Sequence, residues 1–383
     1  MAATIVTVVV AVLIVEHLPR GAPARPHHPR ALSQPILAVP IRIRPARPVG
    51  IIGPTVPWAP DLRLPVSGNR PAWLWPATGK VAFIRGLPRA PSAYSFVRVG
   101  GGWAVLAGGA ASPGCAGCAV RPSPVYFLAD RAGSATSVGA ADRVAPAAEP
   151  DAVWLTSYPA STGPFDADPA PAIGFAEEIS ATGKPLGLRI RLPAGYVINQ
   201  GTERGLLLES ATPHRGALVY KLWNPATARF SRRFGAVVAA SASRIAWTSR
   251  CVARCVVQVL NLRTGRKTRI VLPTASSAAR GSFSPDGRLL ALELSFSYGG
   301  DGGGIATQLE VASVPGGRVT VVPGTWASSD TLSGFGWPAA NDSLVAELSF
   351  VTKVQLASWY PGGSELAVVD VRQRQRPNDL VVG

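Results

Sequence analysis

The chain has 383 residues, 47% hydrophobic and 16% charged, a balance that excludes a wholly disordered protein and permits a large buried core. Forty glycines, 36 prolines and a single methionine argue for many turns and few helices, so an all-β fold is expected. The net charge of +16 would suit nucleic acid or an acidic membrane, but only five of the 38 basic residues are Lys and the arginines are scattered. No stripe of basic residues with interleaved aromatics forms, and from Pro71 onward there is no helix-turn-helix, RNP-like strand or basic zipper. No nucleic-acid partner is expected.

The chain opens on an uncharged apolar run of 14 residues, Ala2 to Val15, followed at once by Glu16, His17 and Pro19. A membrane span needs about 20 residues, so residues 1–18 read as a signal-peptide core or a truncated anchor. No Lys or Arg precedes the run, which points to a start further upstream or to an anchor read from a late start codon. Arg20, Arg25, Arg30, Arg42, Arg44 and Arg47 follow it, and the positive-inside rule would keep that side cytoplasmic. Large folded domains translocate largely regardless of charge beyond the flank, so export is favoured, with the body membrane-anchored or secreted. Residues 19–71, where prolines recur every few positions, read as an extended spacer.

From Ala72 two kinds of hairpin alternate. The clearest of the first kind is GSFSPDGRLLALELSF (281–296), in which Pro285 presets φ, Asp286 can bond the following backbone and Gly287 takes the φ > 0 position of a tight turn. Similar apolar runs joined by a turn lie at 95–109, 142–158, 196–210, 236–249 and 334–350. Hairpins of the second kind, with Thr-Gly, Ala-Thr or Gly-Gly turns, lie at 73–88, 179–193, 220–235, 257–273, 309–324 and 356–371, with 126–139 filling the remaining slot. Several end in Leu-Pro or Pro-Gly, at Leu87, Leu192, Leu272 and Pro323, with gaps that are multiples of about 40 to 50 residues. That is the period of four-stranded propeller blades. A β-propeller over 72–371 is expected, with seven blades favoured over six and one blade incomplete or closed by strands from both chain ends; 372–383 form a tail.

SFSPDGRLLAL (282–292), followed by LEVASVPGGRVTVVPG, resembles the repeats of Tol-type periplasmic translocation-protein propellers and of WD-repeat propellers. The whole chain resembles the actinobacterial membrane-tethered propeller proteins of unassigned function. The resemblance covers roughly residues 72–371 and implies a fold without implying a catalytic residue. Its sharpest motif is Ser284 to Gly287.

The four cysteines form two close pairs, Cys115 with Cys118 and Cys251 with Cys255. In an exported chain such pairs read first as local disulfides; free thiols and a shared zinc site are the alternatives. In the repeat register both pairs follow a second strand, three blades apart, on one face of the ring. There is no GxSxG elbow, HExxH or P-loop, and three of the four histidines (His17, His27, His28) lie before the propeller. His214 sits in another loop after a second strand and reads as solvated. Asp151, Asp166 and Asp168 could hold a hard cation, although the last two fall in a Pro-rich loop. Tyr298 and Asp301 belong to a Gly-rich loop without the Gly-Lys-Ser/Thr ending of a phosphate cradle.

These features predict a monomeric, non-enzymatic scaffold of the cell envelope without a cofactor, presenting propeller loops to a protein or envelope ligand. A propeller-type hydrolase or lyase with a site at the central channel is the alternative. The loops after each second strand differ most between repeats and are the expected binding surface, with Asp166, Asp168, His214, Tyr298 and Asp301 among their residues.

Overall fold

The computed structural model describes residues 42–45, 58–66, 71–88, 94–108, 122–158, 173–213, 217–249, 254–274, 276–297, 305–328, 332–338, 343–350, 353–361 and 366–372. All of these fall in one compact unit, Ala38–Gly383. They contain 29 strands and no helix, so none long and apolar enough to cross a membrane.

A strand β1 (Arg42–Pro45) precedes the ring, and seven sheets follow in chain order. Blade 1 is β2 (Leu64–Val66), β3 (Ala72–Trp75) and β4 (Lys80–Phe83). Blade 2 is β5 (Tyr94–Val99), β6 (Gly102–Ala107), β7 (Ser123–Ala129) and β8 (Thr136–Ala141). Blade 3 is β9 (Arg143–Pro146), β10 (Ala152–Ser157), β11 (Phe175–Ser180) and β12 (Ile190–Arg191). Blade 4 is β13 (Tyr196–Thr202), β14 (Gly205–Ser210), β15 (Tyr220–Asn224) and β16 (Arg229–Phe234). Blade 5 is β17 (Ala236–Ala240), β18 (Arg244–Thr248), β19 (Val256–Asn261) and β20 (Lys267–Val271). Blade 6 is β21 (Ser276–Phe283), β22 (Leu289–Ser297), β23 (Ile305–Ser313) and β24 (Val319–Val321), with β25 (Ala327–Ser328) added on β23. Blade 7 is β26 (Leu332–Gly336), β27 (Leu344–Phe350), β28 (Lys353–Trp359) and β29 (Leu366–Arg372). The chain is a seven-bladed β-propeller.

Within each blade consecutive strands pair antiparallel as a meander, so each four-stranded blade consists of the two hairpins read from the sequence. First strands of successive blades touch one another, as β9 touches β5 and β13, and they surround the axis. Those of blades 4 to 7 each carry one extra residue opposite their partner, at Asn199, Val238, Ala279 and Ser333, a bulge that bends the strand. Second strands have neighbours on both edges and blades on both faces, and all six residues of β6 are buried. Outer strands alternate or are open, as the mostly exposed β16 shows.

One apolar cluster fills each blade junction. Val153 and Leu155 join Val125 and Leu106 between blades 3 and 2. Leu290, Leu292 and Leu294 join Val257 and Val259 between blades 6 and 5. The ring closes where Trp58, Leu62, Leu64, Val66 and Leu74 meet Val345 and Leu356 of blade 7.

This closure corrects the boundary at Ala72. The folded body already includes residues 58–66, which the proline pattern assigned to the spacer, because Leu62, Leu64 and Val66 are at most 3% exposed against blade 7. Within the same stretch β1 pairs antiparallel with β29, Arg42 opposite Arg372, so strands from both chain ends do meet in the last blade. The incomplete blade is the first. Its Trp75-Pro-Ala-Thr-Gly-Lys80 turn matches Asn224-Pro-Ala-Thr-Ala-Arg229 between the third and fourth strands of blade 4, so β2 to β4 correspond to second, third and fourth strands.

The closure carries an expectation. Leu356→Ala, at a side chain with no exposed surface, should cost about 2–5 kcal/mol in chemical denaturation. A fragment starting at Ala72 should be markedly less stable than one starting ahead of Trp58; equal stability of the two would show that residues 58–66 do not close the ring.

Candidate ligand site at the ring centre

Turns between first and second strands converge on the axis at one face. In blade 6 the turn forms as its residues dictate: Gly287 has φ +67°, its N–H donates to the Ser284 carbonyl at 2.7 Å, and the Asp286 carboxylate accepts from the Arg288 N–H at 2.9 Å and from the Ser284 hydroxyl at 2.6 Å. Adjacent turns press together so closely that side chains do not fit between them. A Cβ at Gly100, where φ is +42°, would stand 1.8 Å from the Pro150 carbonyl of the next blade.

Hydrogen bonds tie the turns of blades 4 and 5 together. The Glu203 N–H donates to the Ala242 carbonyl at 2.9 Å, and the Leu262 N–H to the Ser243 carbonyl at 2.8 Å. The Arg204 Nε–H reaches the Leu262 carbonyl at 3.1 Å, and Arg263 pairs with Glu203 at 2.6 Å.

Turns from five blades surround an axial cavity of about 390 Å³. Its wall takes Val99 and Gly100 from blade 2, Pro146 to Pro150 from blade 3, Gln200 from blade 4, Ala240 to Ala242 from blade 5, Gly281 to Pro285 from blade 6, Gly336 to Pro338 from blade 7, and Leu64 from blade 1. Two polar side chains in this wall are already held. The Gln200 amide donates to the carbonyls of Gly201 at 2.9 Å and Ala147 at 3.3 Å, and the Trp337 indole donates to the Ser282 carbonyl at 3.1 Å. Glu149 is the carboxylate among the described lining residues, and its charge together with burial raises the pKa of Glu178, burial contributing more.

Beside the axis a second cavity, of about 300 Å³, lies between blades 1 and 2 and shares Arg98, Trp103 and Pro338 with the first. Arg98 forks onto Asp130, its two Nη atoms 2.5 and 2.6 Å from the carboxylate oxygens, and stacks 5.0 Å from the centre of the Trp103 ring. Arg63 lies 4.4 Å over Trp73 and 5.7 Å from the Trp75 ring, and its Nε–H donates to the Asp130 carbonyl oxygen. Burial lowers the pKa of Arg63, which the nearby Asp130 carboxylate partly offsets. Neither Nη2 of Arg63 nor Nε1 of Trp103 finds an acceptor among the described residues, although both atoms are buried.

These groups come from positions that the sequence does not link. Arg63 and Asp130 are 67 residues apart, and only ring geometry joins them. Of the residues singled out beforehand, Cys115, Cys118, Cys251, Asp166, Asp168, His214, Tyr298 and Asp301 lie outside the described residues. Cys255 is 7% exposed and disulfide-bonded. Asp151 is exposed at the blade 3 turn, and its carbonyl accepts the Ala181 N–H at 2.7 Å. Among the described residues no three His, Cys, Asp or Glu side chains gather as a metal site. Each second strand ends away from the face of these cavities, because it runs back from the turn.

No family model matches the chain, and no curated protein matches it in sequence. Solved structures match in fold. The uncomplexed acylaminoacyl peptidase of Pyrococcus horikoshii superposes with a TM-score of 0.52 at 13% identity, over 81% of this chain and 48% of that one. An acylaminoacyl peptidase in complex with Z-Gly-Gly-Phe-chloromethyl ketone gives 0.51 at 12%, over 80% and 49%. TolB from Acinetobacter baumannii gives 0.42 at 10%, over 82% and 64%. The chain thus spans about half the length of the peptidases and under two thirds of TolB. At such identities the likeness is one of fold.

Away from the axis, Glu310 of β23 is 2% exposed, with Oε2 unpartnered among the described residues, and burial raises its pKa. Between its unfolded and folded pKa values the folded chain binds more protons than the unfolded one, so the stability this group contributes is greatest below the unfolded value and falls as pH rises through the folded one. Glu310→Gln should therefore raise the melting temperature at pH 8, by an amount corresponding to up to about 1–3 kcal/mol, and change it little at pH 4. Equal effects at both pH values would show that the carboxyl does not titrate in the fold.

Proposed function

We propose that this propeller is a non-enzymatic binding module of the cell envelope, and that its ligand docks over the axial cavity on the turn face. The observation that carries this reading is the construction of the wall: backbone turns from five blades, apolar side chains, and an amide and an indole already committed to internal hydrogen bonds. A wall tied in this way loses little freedom when a ligand binds, which favours affinity. It offers peptide groups and apolar surface, which suits a protein segment.

A mouth-blocking substitution tests the reading. Ala242→Trp should abolish cross-linking to the partner recovered from membranes with the wild-type chain, while replacing residues 159–172, which follow the second strand of blade 3, by a short Gly-Ser turn should leave it intact. Recovery of the same partner by Ala242→Trp would overturn the proposed docking face. Turnover of a hydrolase or lyase substrate that is lost in Ala242→Trp would favour an enzyme at the channel instead.

The propeller is proposed to lie outside the cytoplasm, held at the membrane by residues 2–15. The disulfide at Cys255 supports this placement, since disulfides persist in oxidising compartments. An alkaline phosphatase fused after Gly383 should be active in intact cells, and a fusion active only in the cytoplasm would overturn the topology.

A further inference from the structure

The side cavity between blades 1 and 2 is lined by two residues with a buried donor that has no acceptor among the described residues, Trp103, which it shares with the axial cavity, and Arg63, which it does not. Arg63 is fixed on one side by the Trp73 ring and by the Asp130 carbonyl, which leaves Nη2 unpaired among the described residues. Trp103, 2% exposed, lines the same cavity, and its indole N–H is buried and unpaired among the described residues. A buried donor without an acceptor costs about 1–3 kcal/mol, more for a charged one, and an incoming oxyanion removes that cost.

The charge count points the same way. Arg63, Arg98 and Arg131 line the cavity against Asp61 and Asp130, and Arg98 is neutralised by its fork onto Asp130. Arg63 and the exposed Arg131 thus face a single remaining carboxylate, Asp61. Trp75 and Leu62 supply apolar wall beside these cations. With about 300 Å³, the cavity has room for one residue-sized group.

We propose that this cavity is a carboxylate-binding site that seats an acidic group of the propeller's peptide ligand, its oxygens accepting from Arg63 and Trp103 while Arg131 adds attraction from the rim. The proposal rests on the binding-module reading and adds the chemistry of the ligand. Because the side cavity shares Arg98, Trp103 and Pro338 with the axial one, a ligand lying over the axis can reach both.

Three acetylated peptides titrated into the full chain test it, with binding read by tryptophan fluorescence and calorimetry: Ala-Ala-Leu with a free C-terminus, the same peptide as its C-terminal amide, and Ala-Glu-Ala amide. At least one carboxylate peptide should bind about 10- to 100-fold more tightly than the neutral amide, with affinity falling as salt rises. The free acid winning assigns the chain end, and Ala-Glu-Ala amide winning assigns a side chain. Arg63→Gln and Arg131→Gln should each weaken the carboxylate peptide selectively; if Arg63→Gln fails to fold, the exposed Arg131 carries the test. Equal affinity for acid and amide, an affinity unchanged by Arg131→Gln, or no binding of any peptide would overturn the proposal. Such a result alongside loss of partner cross-linking in Ala242→Trp would reject this site and leave the docking face standing.

Discussion

A sheet whose second strand is buried on both faces cannot stand alone in water. Leu292 and Leu294 of β22 need blade 5, whereas Ala291 needs blade 7, and every other blade has the same requirement of its neighbours. Fully burying one such leucine is worth about 1.5–3 kcal/mol, so an open arc would leave two terminal blades each with an uncovered apolar face. Closure is what the rest of the structure depends on. It is achieved by side chains contributed ahead of the first regular hairpin, with Trp58 and Leu62 joining Leu64 over Val345 and Leu356.

That dependence explains what could be read from the sequence. Each hairpin is specified locally by its turn and by the alternation around it, so all thirteen appear where the turn residues place them. Even a degenerate turn keeps its geometry. Ala228 adopts φ +54° where the equivalent blade 1 residue is Gly79 at φ +70°, so flanking Pro, Ala and Thr hold a left-handed position without glycine. Residues 58–66 carry no such local signature. Two prolines interrupt their apolar residues, and only the distant faces of β27 and β28 turn Leu62 and Leu64 into core.

The two cavities were hidden for a related reason. Sequence variation between repeats drew attention to the loops after second strands, where length and chemistry differ most. The turn face is built from short, similar turns, and its chemistry comes from convergence rather than from any motif. Arg63, Arg98, Trp103 and Asp130 belong to two blades and to four separate segments. A legible hint was the placing of tryptophans near strand ends close to arginines, Trp75 after Arg63 and Trp103 after Arg98, although spacing alone does not show that the rings and guanidiniums stack.

The same stacking bears on the arginine excess. Among the described residues five arginines lie over aromatic rings: Arg63, Arg98, Arg189, Arg232 and Arg280. Two of them cross a junction. Arg232 of blade 4 lies 5.7 Å from the Trp247 ring of blade 5, and Arg280 of blade 6 lies 5.3 Å from Phe335 of blade 7 while donating to the Leu332 carbonyl at 2.9 Å. Such contacts contribute about 0.5–1 kcal/mol at exposed sites and more when desolvated, and a planar guanidinium makes them while keeping its edge free to donate. Lys80 and Lys221 also lie over rings, but a compact ammonium meets a ring as a point charge and not as a flat, stacked face. The basic composition is therefore in part a feature of blade packing, and Arg63 differs from the other four in having a buried donor of that edge still without an acceptor among the described residues.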